Sequence, residues 1–287
     1  MTKEEFLKKK EVLGLIDFII LRINKKGLFN HSYFLKKPTY LIWNCNSVYN
    51  SFEKYSWPFK CVIPSTNEVI MGNSYDENEK VLLQLQKDLL FALKTENKEQ
   101  FEDNCLAILQ WGGVLPNNKQ RILSTKNILN YFNTNIQKLQ NPLLDTADDL
   151  SSIHMNSGYT KIYSLLIDNF IIYDGRVGAA IGLLVREYLE QEKLAIIPRT
   201  LDFAYGNPKL SNSNKKDISK RNPSNSQYVF KALSNNSKRH LENNIRANWL
   251  LEKIAMESKF NKLKNPLRAL EAALFMIGYD IRKESNT

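Results

Sequence analysis

Between Ser157 and Leu184 the chain reads SGYTKIYSLLIDNFIIYDGRVGAAIGLL. A small-residue turn opens a short amphipathic segment. An apolar approach, Phe170-Ile171-Ile172-Tyr173, follows, and Asp174-Gly175 begins a second segment rich in glycine and alanine. Gly175, Gly178 and Gly182 weaken helix propensity over two turns, and with Ala179 and Ala180 they leave a helix surface nearly bare of side chains. Something must come close to such a helix.

The rest of the chain is patterned for helices. Residues 5–24 read as one amphipathic helix. From Asp76, the apolar residues Val81, Leu82, Leu85, Leu89, Leu90 and Leu93 recur at helical spacing. Further helices are predicted from about Lys98 to Gln110, from about Gln120 to Leu139, and from an Asp145-Thr146 cap to Ile153. After the turn at 155–159 come a helix to about Ile167, a long helix from Asp174 to near Glu192, one from Asn236 to Phe260, and one opening at Pro266. Residues 30–75 hold Pro38, Pro58 and Pro64 among many aromatics, consistent with short strands or with an irregular wrap. Residues 203–226 are polar and basic, as expected of a mobile surface loop. The fold class is therefore mainly α. The expected division is an irregular, aromatic-rich N-terminal region, 1–75, packed on a helical core, 76–287, that carries a hairpin at 154–161.

The formal charge is +10, and its placement matters more than its size. Residues 193–264 hold 15 Lys and Arg against 5 Asp and Glu, whereas residues 1–192 hold 22 of each. An excess confined to one stretch suits a polyanion such as nucleic acid, or else a solvated lysine-rich surface. The three cysteines, Cys45, Cys61 and Cys105, are widely spaced and form no ligand pattern with the three histidines. No metal or other cofactor is expected, and a reducing cytoplasmic location fits. Glu4, Glu5 and Asp17 spoil any reading of the N-terminus as a signal or membrane segment, so no membrane association is expected. Oligomeric state is open.

Two local features carry chemistry. In the turn His154-Met155-Asn156-Ser157-Gly158-Tyr159-Thr160-Lys161, outward backbone N–H groups would make an anion site. Gly158 would permit close approach, and Asn156 tolerates positive φ. An ordinary helix–helix connection is the plain alternative. Asp174, placed where a helix starts, is either a plain N-cap or a carboxylate held against a substrate. The bare helix after it would meet another helix or a DNA backbone.

The segments MNSGYTK, IYSLLIDNF and IYDGRV together resemble the helix–hairpin–helix DNA glycosylases, closest to the 8-oxoguanine DNA glycosylase-like branch. That family has a turn of the form Leu-Pro-Gly-Val-Gly-x-Lys, a helix, and a segment such as Leu-Asp-Gly-Asn-Val. Here Gly158 stands alone, with Tyr159 in the second glycine's place. The resemblance implies an enzyme that flips a modified base out of DNA and cleaves its N-glycosidic bond, leaving an abasic site. Some members act in anti-phage defence on hypermodified bases such as glucosylated hydroxymethylcytosine. It implies Asp174 as the carboxylate that stabilises an oxocarbenium-like sugar. It also implies Lys161 as a Schiff-base nucleophile with lyase activity, water and a phosphate-binding Lys161 being the alternatives. DNA contacts would come from Asn156, Ser157, Gly158, Tyr159 and Thr160 and from Lys215, Lys216, Lys220 and Arg221. The base pocket would draw on Trp111, His154, Arg176, Tyr205, Asn248 and Trp249. The competing reading is a non-catalytic helix–hairpin–helix DNA-binding protein.

Overall fold

The computed structural model describes residues 1–35, 41–144, 150–208, 219–233 and 236–282. Among them helices dominate, and strands form only two two-stranded antiparallel sheets, so the chain is mainly α. It folds as two compact units, one made of Met1–Tyr55 and Tyr173–Thr287, the other of Ser56–Ile172.

The first unit begins with α1 (Lys3–Leu7) and α2 (Lys10–Asn24) rather than one continuous helix. Thr2 and Glu5 form a capping box on α1, and extended backbone at Lys9 interrupts the run. Phe6 and Val12, on either side of the break, are both fully buried. Strands β1 (His31–Leu35) and β2 (Leu41–Cys45) pair with Tyr33 opposite Trp43, their rings stacked 4.7 Å apart. Helix α3 (Val48–Glu53) follows, capped by Ser47.

The second unit opens with the hairpin of β3 (Phe59–Val62) and β4 (Val69–Gly72), in which Phe59 faces Gly72. Of the two readings left open for residues 30–75, short strands are found: two antiparallel pairs, β1–β2 and β3–β4. Strands of four or five residues are too short to show sustained alternation. Helix α4 (Tyr75–Lys94) starts at a Ser74–Glu77 capping box, and α5 (Lys98–Trp111) starts at Asn97. β3 packs on α5 and β4 on α4, which places the boundary expected at residue 75 inside this unit. The single helix expected over 120–139 is two, α6 (Lys119–Ser124) and α7 (Ile128–Gln140), parted where Asn127 takes a left-handed φ of 47°. The cap expected at Asp145-Thr146 lies outside the described residues. Helix α8 (Tyr159–Leu166) completes the unit. Its buried face meets α4 and α5, and the core includes Leu85, Phe101, Cys105, Phe132 and Tyr163.

The chain then returns to the first unit with α9 (Gly175–Gln191), α10 (Ser237–Glu257) and α11 (Pro266–Ile277). α11 packs against α3, α9 and α10, burying Leu270, Ala273 and Leu274. Full burial of a leucine-sized side chain contributes roughly 1.5–3 kcal/mol, so Leu270 and Leu274 each add on that scale. Phe203, Ala204 and Tyr205, expected at the start of a mobile loop, are buried. Lys215 and Lys216 lie outside the described residues. Among the described residues, no helix is long and apolar enough to cross a membrane.

Candidate functional site

The hairpin of the second unit is organised by two asparagines. Asn156 does not adopt positive φ; its side chain does the work instead. Its Oδ1 accepts from the backbone N–H groups of Gly158 (2.8 Å) and Tyr159 (3.0 Å). The next two N–H groups stay within the turn, Thr160 donating to the Asn156 carbonyl and Lys161 to that of Gly158. The expected outward anion-binding donors at 158–161 are therefore already satisfied by the chain. Asn118, which sequence reasoning missed, holds Asn156 Nδ2 at 2.8 Å. A Cβ on Gly158 would meet the Asn118 carboxamide at 2.6 Å, so this glycine admits a protein neighbour and not a ligand. Asn156→Ala removes both caps and is expected to cost about 1–2 kcal/mol, read as a lowered urea midpoint.

Lys161 is buried, its Nζ donating to the Ser157 carbonyl at 2.9 Å, and Thr160 Oγ1 donates to that same carbonyl at 3.2 Å. The Lys161 stem lies where a Cβ on Gly112 would be, 2.4 Å away, which accounts for the glycine after Trp111. Tyr159 is buried edge-on to His154, ring centroids 4.7 Å apart. Trp111 is a core residue whose indole N–H donates to Asn78 at 3.1 Å.

His154 is half-buried, and burial, helped by the Arg121 charge, pushes its pKa down to about 4. The unfolded imidazole, near its ordinary 6.5, takes up a proton first as pH falls, so acid favours unfolding. Stability is expected to rise by about 1–3 kcal/mol from pH 4 to 6.5 and to level off above, with the rise removed in His154→Gln. Denaturant titrations across that range check this.

In the first unit, the residues around Asp174 form a second constellation. Tyr173 is fully buried and held at both ends: its hydroxyl donates to the Ala204 carbonyl at 2.6 Å, and its own carbonyl meets His240 Nε2 at 2.8 Å. The chain thus enters α9 on a fixed path. Asp174 is the half-buried N-cap of α9, Oδ1 accepting from Arg176 N (2.8 Å) and Val177 N (3.0 Å). The bare face of α9, expected to meet another helix or a DNA backbone, is covered at its glycines by irregular segments of the same unit. Cβ atoms on Gly175, Gly178 and Gly182 would meet Gly206 at 2.9 Å, the Ala204 carbonyl at 2.4 Å and Pro223 at 2.6 Å.

In the first turn of α9, the half-buried Arg176 guanidinium lies 4.2 Å from the Phe275 ring centre and 5.0 Å from that of Tyr279. Desolvation lowers its pKa, and Asp174 opposes that shift. Arg221 is likewise lowered by desolvation first and by the Arg176 charge second, with Asp174 opposing. Lys220 Nζ sits 4.4 Å from the Tyr279 ring, and its carbonyl accepts from Ile281 N at 2.7 Å, pinning this strip beside the C-terminal end of α11. Tyr279 and Phe275 had no sequence signal beyond being aromatic.

The remaining expected residues are placed elsewhere. Tyr205 and Trp249 are buried, Trp249 tilted against Phe6, and Asn248 is half-buried on α10. Arg246, within the basic stretch, donates to the backbone carbonyls of Arg199, Thr200 and Asp202. Of the six expected pocket residues, Arg176 lies beside Asp174, and Trp111 and His154 belong to the other unit. The three cysteines are buried and unpaired. Among the described residues, no cluster of His, Cys, Asp or Glu is placed to hold a metal ion. No family model, curated protein or solved structure matches the chain.

Proposed function

We propose that the chain is a cytoplasmic DNA glycosylase with a helix–hairpin–helix glycosylase-like fold. It would bind duplex DNA, take an extruded modified base, and hydrolyse its N-glycosidic bond to leave an abasic site. The observation that carries this reading is the setting of Asp174. Its backbone path is fixed by the doubly bonded Tyr173, and its cap bonds use one carboxylate oxygen, Oδ1. It stands beside two desolvated arginines and half-buried aromatic rings. A carboxylate held this rigidly suits stabilisation of the positive charge that develops on deoxyribose as the bond to the base breaks.

In this reaction the C1′–N bond breaks and its electron pair leaves with the base, which ends protonated. A water oxygen bonds to C1′, with Asp174 positioned to accept the water's proton and pass it on. Lys161 is buried and bonded to the Ser157 carbonyl, which favours water over this amine as the nucleophile. A bulky hypermodified pyrimidine such as glucosylated hydroxymethylcytosine, in defence against phage, is the substrate class proposed.

The test is incubation with duplexes carrying different modified bases, and mass spectrometry for free base. Release from one of them is expected. Intact DNA binding with no release from any duplex would leave the second reading, a non-catalytic DNA-binding protein. The cap bonds of Asp174 favour that reading.

A further inference from the structure

The first unit contains cationic groups whose hydrogen-bonding capacity is unused. Among the described residues, no hydrogen bond or ion pair ties the guanidinium of Arg176, which rests on the Phe275 and Tyr279 rings. Arg221 Nε is buried with no hydrogen-bond partner. A desolvated guanidinium without an acceptor is costly, because its N–H donors give up water and gain nothing. The acidic groups near the pair are already engaged. Asp174 Oδ1 caps α9, and Asp280 is chelated by Arg282, with Nε donating to Oδ1 at 2.9 Å. Arg176 and Arg221 thus bring two guanidinium groups beside the cap carboxylate of α9. The hairpin, where an anion was expected, has spent the N–H groups of Gly158 and Tyr159 on Asn156 Oδ1.

We infer that Arg176 and Arg221 together bind one phosphate group, and that it belongs to the DNA strand whose sugar Asp174 addresses; the second clause rests on the glycosylase reading. Two guanidinium forks match the non-bridging oxygens of a phosphate, and charge-assisted bonds of this kind are strong. The exposed parts of Phe275 and Tyr279 offer a surface on which a ring attached to that phosphate can stack.

The first arm of the test is calorimetric titration of the full chain with inorganic pyrophosphate. One site is expected, weakened about tenfold or more in Arg176→Gln and in Arg221→Gln and unchanged in Lys253→Gln, a cation paired with Glu257 on α10. Arg221→Lys, which keeps the charge and loses the fork, serves if the glutamine variant fails to fold, and it is expected to bind with intermediate strength. The second arm scans a single uncharged methylphosphonate along a duplex. One position is expected to weaken the unaltered protein about tenfold and to have no further effect in Arg221→Gln, whose salt slope falls by about 1.

Absence of pyrophosphate binding, together with no position whose effect depends on Arg221, overturns the inference. Pyrophosphate binding through the pair without DNA binding keeps the phosphate site, assigns it to a small phosphorylated ligand, and removes the glycosylase reading. Base release with both arms negative does the reverse.

Discussion

Asp174→Asn is expected to lower base release by about 10³-fold while leaving folding and DNA affinity almost unchanged. The separation follows from what the side chain does at each end. As an N-cap it accepts from Arg176 N and Val177 N through one oxygen, and the asparagine carboxamide offers the same oxygen in the same place. Asparagine caps helices as well as aspartate does, so stability should move by less than about 0.5 kcal/mol. What disappears is the negative charge, the one property that stabilises a cationic sugar. Loss of a carboxylate next to two arginines also leaves binding to polyanionic DNA equal or slightly tighter. Asp174→Ala, by contrast, removes the cap as well and should cost about 1 kcal/mol in stability. Single-turnover release rates, binding isotherms and denaturation curves for the two variants check the pattern. A variant Asp174→Asn that releases base at the original rate would remove this carboxylate from the chemistry.

The largest effect on stability is expected from Gly278→Ala. Gly278 ends α11 with an ordinary negative φ, so backbone conformation is no obstacle to a side chain there. The obstacle is contact. A Cβ at this position would lie 1.8 Å from the carbonyl oxygen of Arg176 and 2.5 Å from its carbonyl carbon. These are backbone atoms in the first turn of α9, held by the Asp174 cap and the Tyr173 bonds, and they cannot rotate away as a side-chain tip could. Overpacking of this kind costs roughly 3 kcal/mol or more and should lower Tm by roughly 5–10 °C. Gly27→Ala provides the contrast. Gly27 has φ of 83° with nothing within 4 Å, so its cost is backbone strain of about 1 kcal/mol. Because Gly278 abuts Arg176, its alanine variant should also weaken phosphate binding at the arginine pair beyond what lost stability explains. Thermal melts of the two variants and a pyrophosphate titration of Gly278→Ala check these expectations.

Helices and their starts were legible because their causes are local. The heptad-like recurrence of Val81, Leu82, Leu85 and Leu89, and Asp174 ahead of its glycines, act within a turn or two of themselves. The sequence alone therefore determined a mainly helical protein with a charged cap at the head of a bare helix. It showed that α9 must be approached closely, since nothing else tolerates three glycines there. The partners Gly206, Ala204 and Pro223 were decided by tertiary structure, because they lie roughly 25–40 positions along the chain and are brought back only by the fold. The same holds for the aromatic and basic residues. Trp111, Trp249 and Tyr279 are alike in type, yet burial makes two of them core and leaves the third half-buried beside Lys220 and Arg176. Arg246 and Arg221 belong to one basic stretch, but backbone carbonyls satisfy the first and leave a nitrogen of the second unpaired. Local energetics act through neighbours in the chain, whereas burial and hydrogen-bond satisfaction depend on which distant atoms the packed core delivers.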